Sequence, residues 1–206
     1  MAKLRARVRV AIAAGVDWVQ IREKELPERE LLAVAREAVG AAESANGKRA
    51  TAGHAAARVI VNDRLDVALA AQAAGVHLGG ESAPVDEVVR WCRGGNAPAG
   101  FEVGVSCHSV EGARVAEGAR ASYVIYGPVF DSPSKRDFGP PQGLARLEEV
   151  CRSVKIPVIA IGGVNAENAV ECLHAGAAGI AAIRMFQEAG SEEELRATIA
   201  KLRRLE

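Results

Sequence analysis

Short apolar runs of strand length recur along the chain, and longer segments with helical spacing separate them. Seven runs have this character: DWVQIRE, RVIVND, GVHLGG, FEVGVSC, YVIYGPVF, PVIAIGG and GIAAIRMF. They are continuously apolar rather than alternating, which is typical of parallel strands covered on both faces. The segments between them, such as PERELLAVAREAVGAAE and LARLEEVCRSV, carry apolar residues at helical spacing. Regular alternation of strand and helix predicts a single α/β domain over residues 1–206.

The strand count differs from that of a closed barrel. A helix over about Lys3 to Ala14 comes before the first of the seven strands, whereas a (β/α)₈ TIM-type barrel has eight. The pattern therefore predicts this barrel with its first strand missing at the N-terminus. Residues 46–57, NGKRATAGHAAA, lack periodicity and are predicted to form an exposed loop. An open barrel edge exposes unpaired backbone groups, so a homo-oligomer is a further expectation.

Composition narrows the class of protein. Hydrophobic residues make up 49% of the chain and aromatic residues 4%, which predicts a core of small side chains. Lys plus Arg (26) balances Asp plus Glu (26), so no overall charge favours nucleic acid or a membrane surface. The four cysteines are widely spaced, which argues against zinc or a disulfide framework and for a reducing cytoplasm. The N-terminal apolar stretch is short and interrupted by Asp17, so neither a signal peptide nor a membrane span is expected.

Polar residues follow almost every predicted strand. In barrels of this kind the active site lies where the strands end, so these residues are expected to converge on one site for anionic, phosphorylated small molecules. The candidates are Arg22, Glu23 and Lys24; Asn62, Asp63 and Arg64; Glu81 and Ser82; Ser106, Cys107, His108 and Ser109; Ser132, Ser134 and Lys135; Gly162, Gly163 and Asn165; and Arg184.

Several candidates allow two interpretations. Arg22 and Lys24 would share one face of a strand, either as a phosphate clamp or as a solvated strand end. Asn62 and Asp63 are typical of a turn and N-cap, but Asp63 is also a suitable oxygen ligand for Mg²⁺ held through substrate phosphates. His77 is expected in the barrel interior or facing a helix rather than as a ligand.

Two further loops have the same ambiguity. After GVSC, Ser109 is expected to cap the next helix and Cys107 to be structural, whereas His108 could transfer a proton near neutral pH. Gly162 and Gly163, with a helix expected from about Ala166, indicate a phosphate site, although a tight turn would also use one glycine. Arg184, at the end of the last strand, could meet the same anion or form a salt bridge at the rim. Ser132, Ser134 and Lys135 could donate to phosphate oxygens or simply form a rim loop.

Taken together, VQIREK, VNDR, GVHLGG, GVSCHS, YGPVFDSPSK and PVIAIGGVNAENA resemble the thiamine-phosphate synthase and thiazole tautomerase family from about Gly15 to Phe186. The resemblance implies a (β/α)₈ barrel. In the synthases it also implies the joining of hydroxymethylpyrimidine diphosphate to thiazole phosphate with release of diphosphate, assisted by Mg²⁺. The intact REK, ND and SPSK motifs favour this synthase branch.

The resemblance also implies roles for individual residues. Arg22, Lys24 and Asn62 match positions that hold the pyrimidine diphosphate, Asp63 matches a magnesium ligand, and Gly163 matches the thiazole-phosphate site. Ser106 matches a contact to the leaving group. Ser132, Ser134 and Lys135 match the hydroxyl-rich loop, with Lys135 a catalytic candidate.

Three features depart from the synthase pattern: the missing first strand, Ser82 where a second magnesium aspartate is usual, and Arg184 where a serine is usual. Glu81 is the expected replacement metal ligand. Two alternatives therefore stay open. One is a metal-independent thiazole tautomerase with His108 as the proton carrier, and the other is a non-catalytic protein that binds a phosphorylated ligand.

Overall fold

The computed structural model describes residues 2–51, 53–131 and 140–203. The strands are β1 (Trp18–Ile21), β2 (Arg58–Asn62), β3 (Gly75–Leu78), β4 (Glu102–Cys107), β5 (Tyr123–Tyr126), β6 (Val158–Ile161) and β7 (Gly179–Ala181). The α-helices are α1 (Ala2–Ala14), α2 (Glu28–Thr51), α3 (Leu65–Ala70), α4 (Val85–Trp91), α5 (Val110–Gly118), α6 (Gly143–Ser153), α7 (Ala169–His174), α8 (Arg184–Gln187) and α9 (Glu192–Arg203). A π-helical turn over Cys92–Asn96 follows α4.

The seven strands form one sheet whose order follows the chain, and every neighbouring pair is parallel. The sheet curls into a half-barrel, so that Trp18 of β1 meets Tyr123 of β5 edge to face, with ring centroids 4.7 Å apart. Within the described residues, β1 and β7 are the two edges and no eighth strand joins them. The prediction of a parallel TIM-type fold with seven strands is confirmed for the part of the chain that the structure describes.

The two faces of the sheet differ in chemistry. The outer face packs against the helices through small apolar side chains, among them Val59, Val61 and Val76, all nearly inaccessible to solvent. A second cluster continues this layer under α5, α6 and α7 around Leu147 and Val150. The inner face instead carries polar side chains on successive strands, and side chains of neighbouring strands hydrogen-bond to one another, Gln20 to Asn62 and His77 to Ser106. The curl of the sheet therefore gathers polar groups inside a ring of apolar packing.

Helices α1 and α9 pack together beside the open edges. Ala14 and Val16 form an apolar cluster with Leu195 and Ile199 of α9. Arg203, the last residue of α9, donates to the Gly15 carbonyl over 3.0 Å and forms an ion pair with Asp17 at 2.5 Å. These contacts link the chain just before β1 to α9, the second helix after β7.

Three boundaries differ from the sequence predictions. Residues 46–51 belong to α2 rather than to a loop, because Ala42 and Ala45 pack on the core and Thr51 donates its hydroxyl to the Gly47 carbonyl within the helix. β5 ends at Tyr126 and β7 at Ala181, earlier than the apolar runs suggested. No helix in the described part of the chain has the length and apolar character needed to cross a membrane.

Candidate active site

A hydrogen-bonded chain of side chains runs across the carboxyl ends of β1 and β2. Gln20 Nε2 donates to Asn62 Oδ1 over 2.8 Å, and Asn62 Nδ2 donates to Asp63 Oδ2 over 2.6 Å. Asp63 has a positive φ of 61°, a conformation that aspartate tolerates better than most residues. The N-cap interpretation of Asn62 and Asp63 is wrong: Arg64 holds the position before α3, and no side chain caps that helix. Both side chains instead point into the network at the strand ends.

The other oxygen of Asp63 is held by the loop after β3. The Ser82 hydroxyl donates to Asp63 Oδ1, and the Gly79 N–H donates to Ser82 Oγ at 2.6 Å and to Asp63 Oδ1 at 3.2 Å. Three donors thus fix the Asp63 carboxylate, which stays exposed to solvent. Glu81 is exposed on the same loop.

Beside this network, His77 lies inside the barrel with only 2% of its surface exposed. Its Nε2 atom is 2.9 Å from Ser106 Oγ, and its ring stacks on Tyr123 at 5.7 Å between centroids. Burial lowers the pKa of His77 to about 4; the Asp63 carboxylate opposes this shift and the Arg22 cation adds to it. His77 is therefore neutral near pH 7, and the expected interior position is confirmed.

Arg22 and Lys24 are exposed and lie beyond β1, which ends at Ile21. The prediction that strand pleating places them on one face is therefore wrong. Arg22 nevertheless stands near enough to His77 to influence its pKa electrostatically. A cation thus accompanies the network.

The loop after β4 presents His108. Its Nδ1 atom is 2.5 Å from the Gly127 carbonyl oxygen, which can only accept, so Nδ1 carries the hydrogen and Nε2 has the free lone pair in the neutral ring. Ser109 caps α5 by accepting from the Gly112 N–H at 3.0 Å, as expected. Burial raises the pKa of the Cys107 thiol to about 11, consistent with a structural role.

Gly162 and Gly163 both have positive φ, at 95° and 66°. The segment after β5 lies against them: the Phe130 N–H donates to the Gly162 carbonyl at 2.9 Å. A Cβ on Gly163 would come within 2.5 Å of the Asp131 carbonyl oxygen. Close packing of two loops therefore accounts for both glycines. Helix α7 begins at Ala169, later than expected, because Asn165 and Asn168 first form a hydrogen-bonded turn.

The remaining predicted site residues lie outside the hydrogen-bonded network or outside the described residues. Arg184 is exposed and starts α8, three residues past β7, so its predicted place at a strand end is wrong. The apolar run that suggested a longer strand instead turns into a helix. Ser132, Ser134 and Lys135 lie outside the described residues.

The side chains of this site fit Mg²⁺ only if a bound substrate also supplies ligands to the metal. No group of three or more His, Cys, Asp or Glu side chains in residues 2–51, 53–131 and 140–203 is arranged to hold a metal ion. The Asp63 carboxylate accepts from the Asn62 amide nitrogen at Oδ2 and from the Ser82 hydroxyl at Oδ1. Mg²⁺ commonly binds through one or two carboxylates together with water and substrate phosphates. Asp63 therefore fits a metal that is shared with a phosphorylated substrate.

Gln20 and His77 contribute to the network, but the sequence did not identify them as site residues. Gln20 is a polar residue within an apolar strand, two positions before Arg22, and this placement could have indicated its role. The contact between His77 and Ser106 joins residues 29 positions apart, so only the register of β3 on β4 reveals it.

Comparison with known proteins agrees with this architecture. A family model described as thiamine monophosphate synthase matches residues 1–186. The thiamine-phosphate synthase of Methanocella arvoryzae is 46% identical over 175 residues, covering 85% of this chain and 76% of the relative. That of Methanoculleus marisnigri is 43% identical over 175 residues, with the same coverage. A solved structure, thiamine phosphate pyrophosphorylase from Pyrococcus furiosus, superimposes with a TM-score of 0.81 at 33% identity, over 98% of this chain and 88% of that one. The chain therefore belongs to the thiamine monophosphate synthase family.

Proposed function

We propose that the protein is a thiamine-phosphate synthase, a transferase that joins hydroxymethylpyrimidine diphosphate to thiazole phosphate. The observation that carries this proposal is the Asn62–Asp63 pair, held at the end of β2 by Gln20 and Gly79. It presents a carboxylate and an amide near the Arg22 cation, which suits a metal-bound diphosphate. Membership of the family, through close relatives bearing this name, supports the reaction.

The reaction exchanges one bond for another at the pyrimidine methylene carbon. The C–O bond to diphosphate breaks with its electron pair leaving on oxygen, and the thiazole nitrogen lone pair forms the new C–N bond. No protein nucleophile is required. The protein must hold both substrates and stabilise the negative charge that develops on diphosphate.

The chain's own groups divide this work. Arg22, Lys24 and Lys135 supply positive charge, and Asn62 and the hydroxyls of Ser106, Ser132 and Ser134 supply hydrogen bonds to phosphate oxygens. The backbone of Gly162 and Gly163 would bind the thiazole phosphate, with Arg184 as a second cation at the rim. Lys135 and Ser106 act on the leaving group and are our catalytic candidates.

Asp63 would hold Mg²⁺, with Glu81 as a second ligand. When bound, Mg²⁺ neutralises charge on the diphosphate. Asp63 stays oriented by Ser82, Gly79 and Asn62, so little reorganisation is needed when the metal arrives with its substrate.

A metal-independent tautomerase is the second candidate, and one observation favours it. The free Nε2 of His108 can take up a proton, while Ser82 stands where another carboxylate would strengthen a metal site. A non-catalytic phosphate-ligand binding protein is the third. Neither alternative requires a metal ligand such as Asp63 to be held in place by three hydrogen-bond donors.

Three variants separate these functions. A synthase loses Mg²⁺-dependent formation of thiamine phosphate by at least about 100-fold on Asp63→Asn, a loss on the scale of one preorganised charge contact. Asp66→Asn is the matched control, because Asp66 pairs with Arg64 on α3 outside the network. Isomerisation without metal that falls on His108→Ala but not on Asp63→Asn would identify the tautomerase. Thermal stabilisation by thiazole phosphate without turnover would identify the binding protein.

We also propose a cytoplasmic location for this enzyme. All four cysteines are free thiols, as expected in a reducing compartment. The substrates are small phosphorylated molecules, and nucleic acid has no part in the reaction.

A further inference from the structure

We propose that His77 is a positioning residue that makes the Ser106 hydroxyl a hydrogen-bond donor to the bound diphosphate, an inference that rests on the synthase function above. His77 belongs to β3 and Ser106 to β4, and both face the barrel interior. The distance between His77 Nε2 and Ser106 Oγ is 2.9 Å. Two assignments of the hydrogen are compatible with this distance, and they have opposite consequences for Ser106.

The other ring nitrogen decides between them. His77 Nδ1 is buried and has no hydrogen-bond partner among the described residues. A neutral imidazole carries one N–H and one lone pair. If the hydrogen were on Nδ1, a buried N–H donor would be left unsatisfied, and orphaned buried N–H groups are rarer in proteins than under-satisfied acceptors. The hydrogen therefore belongs on Nε2, which donates to Ser106 Oγ.

This tautomer fixes what Ser106 can do. A serine hydroxyl has a single hydrogen to donate. Because Ser106 Oγ accepts from His77, that hydrogen is not used on the imidazole and can point to an oxygen in the site. Ser106 is only partly buried near the end of β4, so a ligand can reach it. The opposite tautomer would turn the Ser106 oxygen lone pairs toward an anion and repel it.

The surrounding rings hold the imidazole in place. Tyr123 stacks on His77 with an interplanar angle of 24°, and Trp18 packs edge-on against Tyr123. Gly104 lies opposite His77 in the register and makes room for the Tyr123 ring, since a Cβ there would come within 2.0 Å of Tyr123 Cζ. An imidazole fixed in this way holds the Ser106 rotamer before any ligand arrives.

The tautomer can be measured without a ligand. Long-range ¹H–¹⁵N correlation spectra of the four histidines distinguish a protonated from an unprotonated ring nitrogen, and His77→Gln identifies the His77 signals. We expect the proton on Nε2 at pH 7. A proton on Nδ1 would overturn the proposal, whatever the protein's activity.

The consequence for binding is measured by calorimetry with inorganic diphosphate and Mg²⁺. Ser106→Ala and His77→Leu are each expected to weaken binding by about tenfold or more, and the double variant no further, because both remove one charged-ligand hydrogen bond. In His77→Gln the amide nitrogen stands where Nε2 was, so we expect binding to recover to within about threefold of wild type. Additive losses, or no loss in a folded His77→Leu, would contradict the positioning role. Failure of the wild type to bind diphosphate would instead contradict the synthase function.

Discussion

At the residue scale, the interior of this half-barrel depends on small side chains placed beside large ones. Gly104 faces Tyr123 closely enough that any side chain would collide with its ring. Gly75 likewise lies against the Glu102 backbone, between Arg58 and Glu102, which form an ion pair across it. The polar network at the strand ends therefore lies next to a tightly packed layer that contains Trp18 and Tyr123.

Gly104→Ala should test this packing. The added methyl group must displace Tyr123, so we expect the free energy of unfolding to fall by about 2 kcal/mol or more. Gly40→Ala is the matched control, since Gly40 is within α2 and has open space around it. Its unfolding free energy should rise by about 0.5–1 kcal/mol through helix propensity. Urea denaturation of both variants measures the difference, and equal effects would contradict the packing role of Gly104.

Ser82 offers a second test at this scale. Replacing its hydroxyl with a carboxylate should give Asp63 an anionic neighbour and raise the affinity for Mg²⁺ alone by about tenfold, because ligand charge tunes metal affinity. Calorimetry without substrate measures this in Ser82→Asp. Ala83→Asp, which adds the same charge one residue further along, should leave the affinity unchanged. An equal gain in both variants would show that general charge, not contact with Asp63, is responsible.

At the element scale, the segment after β5 is docked on the turn after β6. The Val129 N–H donates to the Ile161 carbonyl and the Phe130 N–H to that of Gly162, each at 2.9 Å. This docking brings Phe130 and Asp131 next to the proposed thiazole-phosphate site. The two loops therefore form one unit, and glycine at position 163 is required by both φ and space.

Gly163→Ala should separate the two loops. Its Cβ would collide with Phe130 and the Asp131 carbonyl, and we expect the KM for thiazole phosphate to rise at least about tenfold through misplacement of the site. Gly95→Ala is the control, because Gly95 also has a positive φ, 91°, but nothing within 4 Å of a Cβ. Steady-state kinetics of both variants check the prediction. An unchanged KM in Gly163→Ala would exclude this coupling.

Comparison of the predicted with the observed strands shows which features of the fold could be predicted from the sequence. Strand order, the parallel sheet and the seven strands of the described residues follow from apolar runs and their spacing, because buried parallel strands demand continuous apolar residues. Strand ends were harder to predict: GIAAI is apolar throughout, yet β7 stops at Ala181 and a helix begins at Arg184. Contacts between distant residues, such as Gln20 with Asn62, depend on register, which no local pattern specifies.

At the scale of the whole molecule, α9 packs against the chain before β1, beside the two open edges of the sheet. Leu195 of α9 is 1% exposed and packs in the cluster with Ala14 and Val16, while Arg203 pairs with Asp17. Among the described residues no strand lies between β1 and β7. The packing of α9 therefore helps to hold these two edge strands in one half-barrel. It also leaves two sheet edges that a second copy could cover, so a homo-oligomer stays a prediction for sedimentation analysis.

Leu195→Ala should weaken this packing. We expect the unfolding free energy to fall by about 2–5 kcal/mol, as for other buried leucines. The transition should remain a single cooperative one if residues 1–206 form one domain. Val115→Ala is the control, because Val115 is 57% exposed and its loss should change stability by no more than about 0.5 kcal/mol. Two separate transitions in Leu195→Ala would show that the two halves of the barrel unfold independently.

The central claim is the synthase reaction, and one measurement tests it most directly. Wild-type protein is incubated with hydroxymethylpyrimidine diphosphate and thiazole phosphate, with and without Mg²⁺, while released diphosphate and thiamine phosphate are both quantified. Our account predicts that the two products form in equal amounts and only when Mg²⁺ is present. A folded sample that releases no diphosphate under these conditions would contradict it.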